Sequence, residues 1–194
     1  MNWAELMGNI LGGLLSASIG AGFVYYFAVR QIAKQRSSDF RKQQLAEFYA
    51  PLAGMRQQVR AKSELRLKVS QAANTAWHEL CERYRGGVMH DHEERYAPYK
   101  RIIEYENKQL ETELLPLYRE MLRLFTERYH LADAETRAFY HSFVEFVEIG
   151  NRWMAESLPA AVLEKLDHGE QHVLPFYEHL EAKMATLQAE ITGT

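Results

Sequence analysis

The chain has 194 residues, 47% hydrophobic and 25% charged, with a formal net charge of -3 at pH 7. That is the composition of a folded chain, and it excludes a disordered tail and a protein held to duplex nucleic acid by bulk positive charge. Five prolines and few runs of Val, Ile or Thr disfavour sheet, so the expected class is all-α. The single cysteine, Cys81, cannot form an internal disulfide, which fits a reducing compartment.

After a short N-terminus (1–5), residues 6–29 read LMGNILGGLLSASIGAGFVYYFAV, without a charged side chain. As a helix this stretch is ~36 Å long, enough to cross a ~30 Å hydrocarbon core. A cleaved signal peptide would have a basic start and a small-residue exit, and a surface helix would have a polar face; the stretch has neither. It reads as a retained transmembrane anchor. Arg30, Lys34, Arg36, Arg41 and Lys42 follow it and no Lys or Arg precedes it. The positive-inside rule then sets the N-terminus outside and the remainder in the cytoplasm. Gly8, Gly12, Ser16 and Gly20 recur every four residues, and Gly13, Ala17 and Ala21 form a second row beside them. Small residues at that spacing let a neighbouring backbone approach closely, so the spans are expected to associate in a homo-oligomer.

A basic juxtamembrane connector (30–51) leads into a cytosolic helical bundle (52–191). Residues 1–70 hold 10 Lys and Arg against 4 Asp and Glu, whereas 71–194 hold 13 against 22. The basic part therefore adjoins the bilayer, where anionic headgroups would attract it. From Leu52 to Tyr84 a helical stripe runs through Met55, Val59, Val69, Ala73, Ala76 and Leu80. A second helix is expected over 98–130, with Ile103, Leu110, Leu114, Leu117, Met121 and Leu124 on one face and a bend at Pro116. Asp133 is placed to N-cap a third, running to about Ser157 and burying Phe139, Phe143, Phe146, Val147, Trp153 and Met154. Gly150 lies in that face, where a missing side chain admits another helix. A short helix after Pro159 precedes the last one, from about Leu174, which carries Tyr177, Leu180, Met184, Leu187 and Ile191. Short connections make neighbours antiparallel.

Phosphate loops, dinucleotide fingerprints and serine elbows are absent from the sequence, so no enzymatic activity and no cofactor are expected. His90 and His92 share an acidic loop with Asp91, Glu93 and Glu94 that could take a transition metal. Glu127 with His130 has the Glu-x-x-His form without its second copy, and His168 and His172 straddle Gly169, a helix stop; no metal is expected. The informative anomaly is Lys62 and Arg66, which fall in the middle of the apolar stripe of the first cytosolic helix. Cations there either pair with carboxylates from the second or third helix, Glu106 among them, or face an anionic ligand. In the second case the site is Arg56, Arg60, Lys62, Ser63, Arg66 and Lys68.

LAEFYAPL, RAKSELRLK and ETRAFYHSFVEFVEIGNRWM resemble stretches of small bacterial single-pass membrane proteins with a helical cytosolic domain. In layout the chain is also similar to membrane effectors of bacterial antiphage systems, including those that bind cyclic oligoadenylate. The resembling stretches imply architecture, a single span and a helical cytosolic domain at a bacterial inner membrane. The likeness of layout adds the expectation of a tethered oligomeric sensor or effector whose cytosolic domain takes an anionic small ligand, a cyclic oligonucleotide among them. The other expectation is a structural adaptor that recruits a cytosolic protein to the membrane. Replacing Gly12 and Ser16 by Leu keeps the span apolar but blocks close approach. The detergent-solubilised assembly should then fall to a smaller mass by light scattering; an unchanged mass would place the association elsewhere.

Overall fold

The structure, a computed structural model, describes residues 26–84, 92–166 and 169–193. The described residues are all-α, without a strand. Two long helices dominate. The first begins as α1 (residues 26–44), passes through a π-helical turn (Leu45–Tyr49) and continues as α2 (Ala50–Arg83). The second is α3 (His92–Gln109), a π turn (Leu110–Leu114) and α4 (Leu115–Glu127). Backbone dihedrals stay in the right-handed helical region at both ends of each π turn, so neither helix breaks.

The two prolines account for both π turns. Pro51 and Pro116 each occupy the second position of the α-helix that follows. Proline has no N–H to give the carbonyl four residues back, and its ring collides with that carbonyl. A π turn bonds over five residues and takes in one extra, so the chain passes the proline without stopping. The extra residue also steps the buried stripe sideways. At these turns neighbours in sequence are buried together, Phe48 with Tyr49 and Leu114 with Leu115.

This step explains one difference from the sequence periodicity. Ile103, expected on the buried face, is 50% exposed, and the inward positions of α3 are Tyr99, Ile102, Glu106 and Gln109. In α2 the exposed Ala76 yields its place to the half-buried Trp77. Trp153, expected in the core, is exposed at a rim, because Phe143, Val147 and Gly150 set the inward face one step away. The expected connector is itself helical throughout its length.

The long helices run antiparallel, with Phe48 against Phe125 (ring centroids 5.3 Å) at one level and Trp77 against Tyr99 (5.2 Å) at another. Around their lower part pack α5 (Ala134–Ala138), α6 (Tyr140–Met154) and α8 (Leu174–Thr192), with a short α7 (Ala160–Lys165) before the last. α8 lies antiparallel beside the first long helix, with Arg41 pairing Glu190 at 3.2 Å and Gln57 donating to Glu181 at 3.0 Å. Phe176 stacks on Phe125 at 5.5 Å and meets Phe143 at 5.1 Å, which closes the core. Gly150 does admit a neighbour: a Cβ there would lie 3.4 Å from Leu115 Cδ1.

Between Arg60 and Glu113 no described side chain is fully buried. The upper parts of α2 and α3 thus stand beyond the bundle as a two-helix arm. At the other end residues 26–37 of α1 are exposed on all sides. Among the described residues no helix is long and apolar enough to cross a membrane. The expected span lies outside them except for its last residues, 26–29, as do both rows of small residues, the loop with His90, and His168.

One polar knot ties the bundle together. Asp133 caps α5, its Oδ1 accepting from Thr136 N at 2.8 Å and from Thr136 Oγ1 at 2.7 Å. Thr136 Oγ1 has spent its only proton there, so it accepts from Tyr49 OH (2.8 Å) and from His179 Nε2 (2.8 Å), which fixes the Nε2–H tautomer. Lys183 Nζ reaches Asp133 Oδ2 at 2.5 Å. Burial alone would raise the Asp133 carboxyl, but Lys183 and the Thr136 donors outweigh it and hold it at about 2, below its ordinary 3.8. The folded state therefore gains stability above pH 3.8 that it loses as pH falls toward 2. Partial exposure screens this to about 1 kcal/mol. Asp133→Asn keeps the cap and removes the charge. Its melting temperature should lie below wild type at pH 6, and the gap should narrow steadily as pH falls from 4 toward 2; a gap that ignores pH would show that the charge contributes nothing.

Candidate functional site

The six residues singled out in α2 do not converge on one site. Arg56 points into the bundle and is 8% exposed. Its guanidinium lies 4.0 Å from the centre of the Tyr177 ring and donates to Glu170 Oε1 at 2.9 Å. Beneath it are two buried phenols. Tyr118 is pushed up to about 12, chiefly by burial, with Glu170 adding and Arg56 opposing. Tyr177 is also pushed up, first by burial and then by Tyr118. Both phenols stay neutral, and Arg56 covers the Tyr177 ring as a stacked, paired cation.

Arg60 is exposed and bonds Glu64 one turn on, at 2.8 Å. Lys62 forms an ion pair with Glu113, and this contact lowers the Glu113 carboxyl. Arg66 faces Glu106, Nε to Oε2 3.8 Å, too long for a hydrogen bond. Lys68 is exposed. Lys62 and Arg66 thus lie in the seam between α2 and α3 opposite carboxylates, which is how a stripe of otherwise apolar positions tolerates them.

Two surface grooves adjoin these residues. The lower one, of about 570 Å³, lies between α2 and α8 and includes Arg56, Arg60 and Ser63. Its other charged side chains are Glu64, Glu170, Glu178 and Glu181, so carboxylates outnumber guanidiniums and the groove repels an anion. The upper one, of about 450 Å³, lies on the arm between α2 and α3 and runs from Arg66 and Glu106 to Trp77, Tyr96 and Tyr99. The sequence reading passed over those rings. Their signal was present: Trp77 stands four residues after Ala73 of the stripe, and Tyr96 and Tyr99 flank Pro98 one helical turn apart.

Among the described residues Asp133, Glu135 and His179 offer ligand atoms within 4.8 Å of one another. The Lys183 ammonium already stands against Asp133, so a positive charge occupies the place a metal ion would take. No protein family, curated protein or solved structure matches the chain. Its site is therefore read from geometry alone.

The pairings differ in burial and should differ in energy. Arg56→Met leaves Glu170 half-exposed but removes the ring contact and the bond, and should cost about 2 kcal/mol. Lys62→Met breaks a pair whose side chains are 32% and 39% exposed, and should cost no more than about 1 kcal/mol. Thermal unfolding of the full chain in detergent measures both; the reverse order would mean that the arm, not the bundle, limits stability.

Proposed function

We propose that this chain is a non-enzymatic, membrane-anchored sensor, which passes ligand binding in its cytosolic helical domain to its transmembrane spans. The observation that carries this reading is the continuity of the first long helix. It runs without a break from Tyr26, at the end of the uncharged stretch, through the bundle and along the arm to Arg83. At 1.5 Å per residue that is ~85 Å of one helix. A change of tilt or rotation at the arm is then communicated along a stiff element, with no loop to absorb it. The exposed Arg30, Lys34 and Arg36 on α1 suit contact with anionic headgroups, and the small residues of the span suit a homo-oligomer.

The adaptor reading keeps one observation in its favour. Leu65, Leu67, Ile103 and Tyr105 on the arm are each at least 50% exposed, a density of large apolar side chains that suits a protein partner.

Spin labels at Ser37 and Lys68, in a Cys81→Ser background, test the rigid coupling. They should give one narrow distance near ~46 Å. A broad distribution reaching short distances would mean a hinge at the π turn and would end the coupling reading. A reporter fused after Thr194 should behave as cytoplasmic; a periplasmic signal would overturn the orientation.

A further inference from the structure

We propose that the groove on the arm is a binding site for a purine nucleotide. The proposal deepens the sensor reading and rests on it. The site belongs to the arm, not to the cluster of cations around Arg56, and of the α2 cations only Arg66 lines it.

Three features of the groove match three parts of such a ligand. At its outer end Trp77 is set edge-to-face against Tyr96 (5.1 Å) and Tyr99 (5.2 Å). A cluster of half-exposed rings offers a planar base a stacking surface, and stacking is the part of nucleotide recognition that needs no particular backbone. Along its middle stand Gln71 and Asn74, with Asn107 beside Glu106 at its inner end, all exposed and with side-chain amides that make no hydrogen bond to a described residue. An amide offers a donor and an acceptor side by side, the pairing that the N6–H and N7 edge of a purine accepts. At its inner end Arg66 is held near Glu106 at 3.8 Å, so its donors remain available. A guanidinium there takes a phosphate, and a carboxylate beside it takes the ribose hydroxyls.

Dimensions agree. Arg66 and Trp77 are separated by ~16 Å along α2 at 1.5 Å per residue, and a nucleotide reaches across most of that span. The groove's volume, about 450 Å³, falls within the range of small-molecule sites. The lower groove has a comparable volume, but its charged wall is acidic and it lacks a ring cluster. Because the upper groove is walled by α2 on one side and α3 on the other, a bound base would brace the arm's two helices against each other.

The test is quenching of tryptophan emission in the full chain in detergent micelles, with AMP, adenosine, CMP, inorganic phosphate and methyl glucoside as probes. AMP should quench saturably. Adenosine should bind ~10- to 100-fold more weakly, having lost the charge-assisted bonds to Arg66. Arg66→Gln should bring AMP down to the level of adenosine without changing adenosine itself. Asn74→Ala, at an exposed position, should weaken both and leave the helix content by circular dichroism unchanged. Quenching by AMP should disappear in Trp77→Leu, which separates Trp77 from Trp3 and Trp153. Saturable quenching by methyl glucoside or equally by CMP would overturn the assignment to a purine. Absence of quenching by any nucleotide at millimolar concentration, in a chain of full helix content, would overturn the site. Neither result bears on the spin-label distance, so failure of the ligand and failure of the coupling are read separately.

Discussion

A helix that must pass a proline can stop, kink or take in an extra residue. This fold depends on the third solution being used twice. Had Pro51 ended its helix, the bundle and the stretch before it would be joined by a loop, and the arm would have no rigid link to α1. Had Pro116 ended the other, the arm's second helix would lack its seat in the core. The π turns also place Phe48 with Tyr49 and Leu114 with Leu115 as wide contact surfaces. Tyr49 then serves two purposes, packing against Phe48 and donating to Thr136 in the knot that holds α5 and α8.

Electrostatics divides the molecule into two regimes. Inside the bundle, charges are few and each is answered closely: Arg56 by Glu170 and a ring, Asp133 by Lys183 and two donors. On the arm the pairing is looser and wetter, because two helices alone cannot exclude water from their seam. Lys62 and Arg66 therefore do not demand the partners that a fully buried cation would. What looked in the sequence like one basic cluster is three environments: a buried stack, a solvated helix face and a seam.

Much of the fold was legible because its signals are local. The last helix, with Tyr177, Leu180 and Leu187 inward, follows the 3.6-residue period from end to end, and Asp133 caps where its side chain and position said it would. What escaped was non-local. Ile103 was misplaced because the π turn beyond it shifts the phase, and nothing within α3 announces that shift. Glu106 could be offered as a partner for the stripe's cations from charge alone. Glu170 and the Tyr177 ring could not be assigned to Arg56, since they lie more than a hundred residues away and meet it only when α8 docks. The arm's groove was missed for a related reason: it has two walls, and a sequence shows one helix at a time.

Over its described length the first long helix is gripped by the bundle near its middle, with α1 exposed on one side and the upper part of α2 paired with α3 alone on the other. Such a member acts as a lever with the core as its fulcrum. The arm extends ~35 Å past that fulcrum, so a tilt of ~10° about it moves the outer end by ~6 Å. The α1 end, on the other side of the core, moves the opposite way. Any surface packed against α1 would be displaced by such a tilt without a change inside the bundle itself.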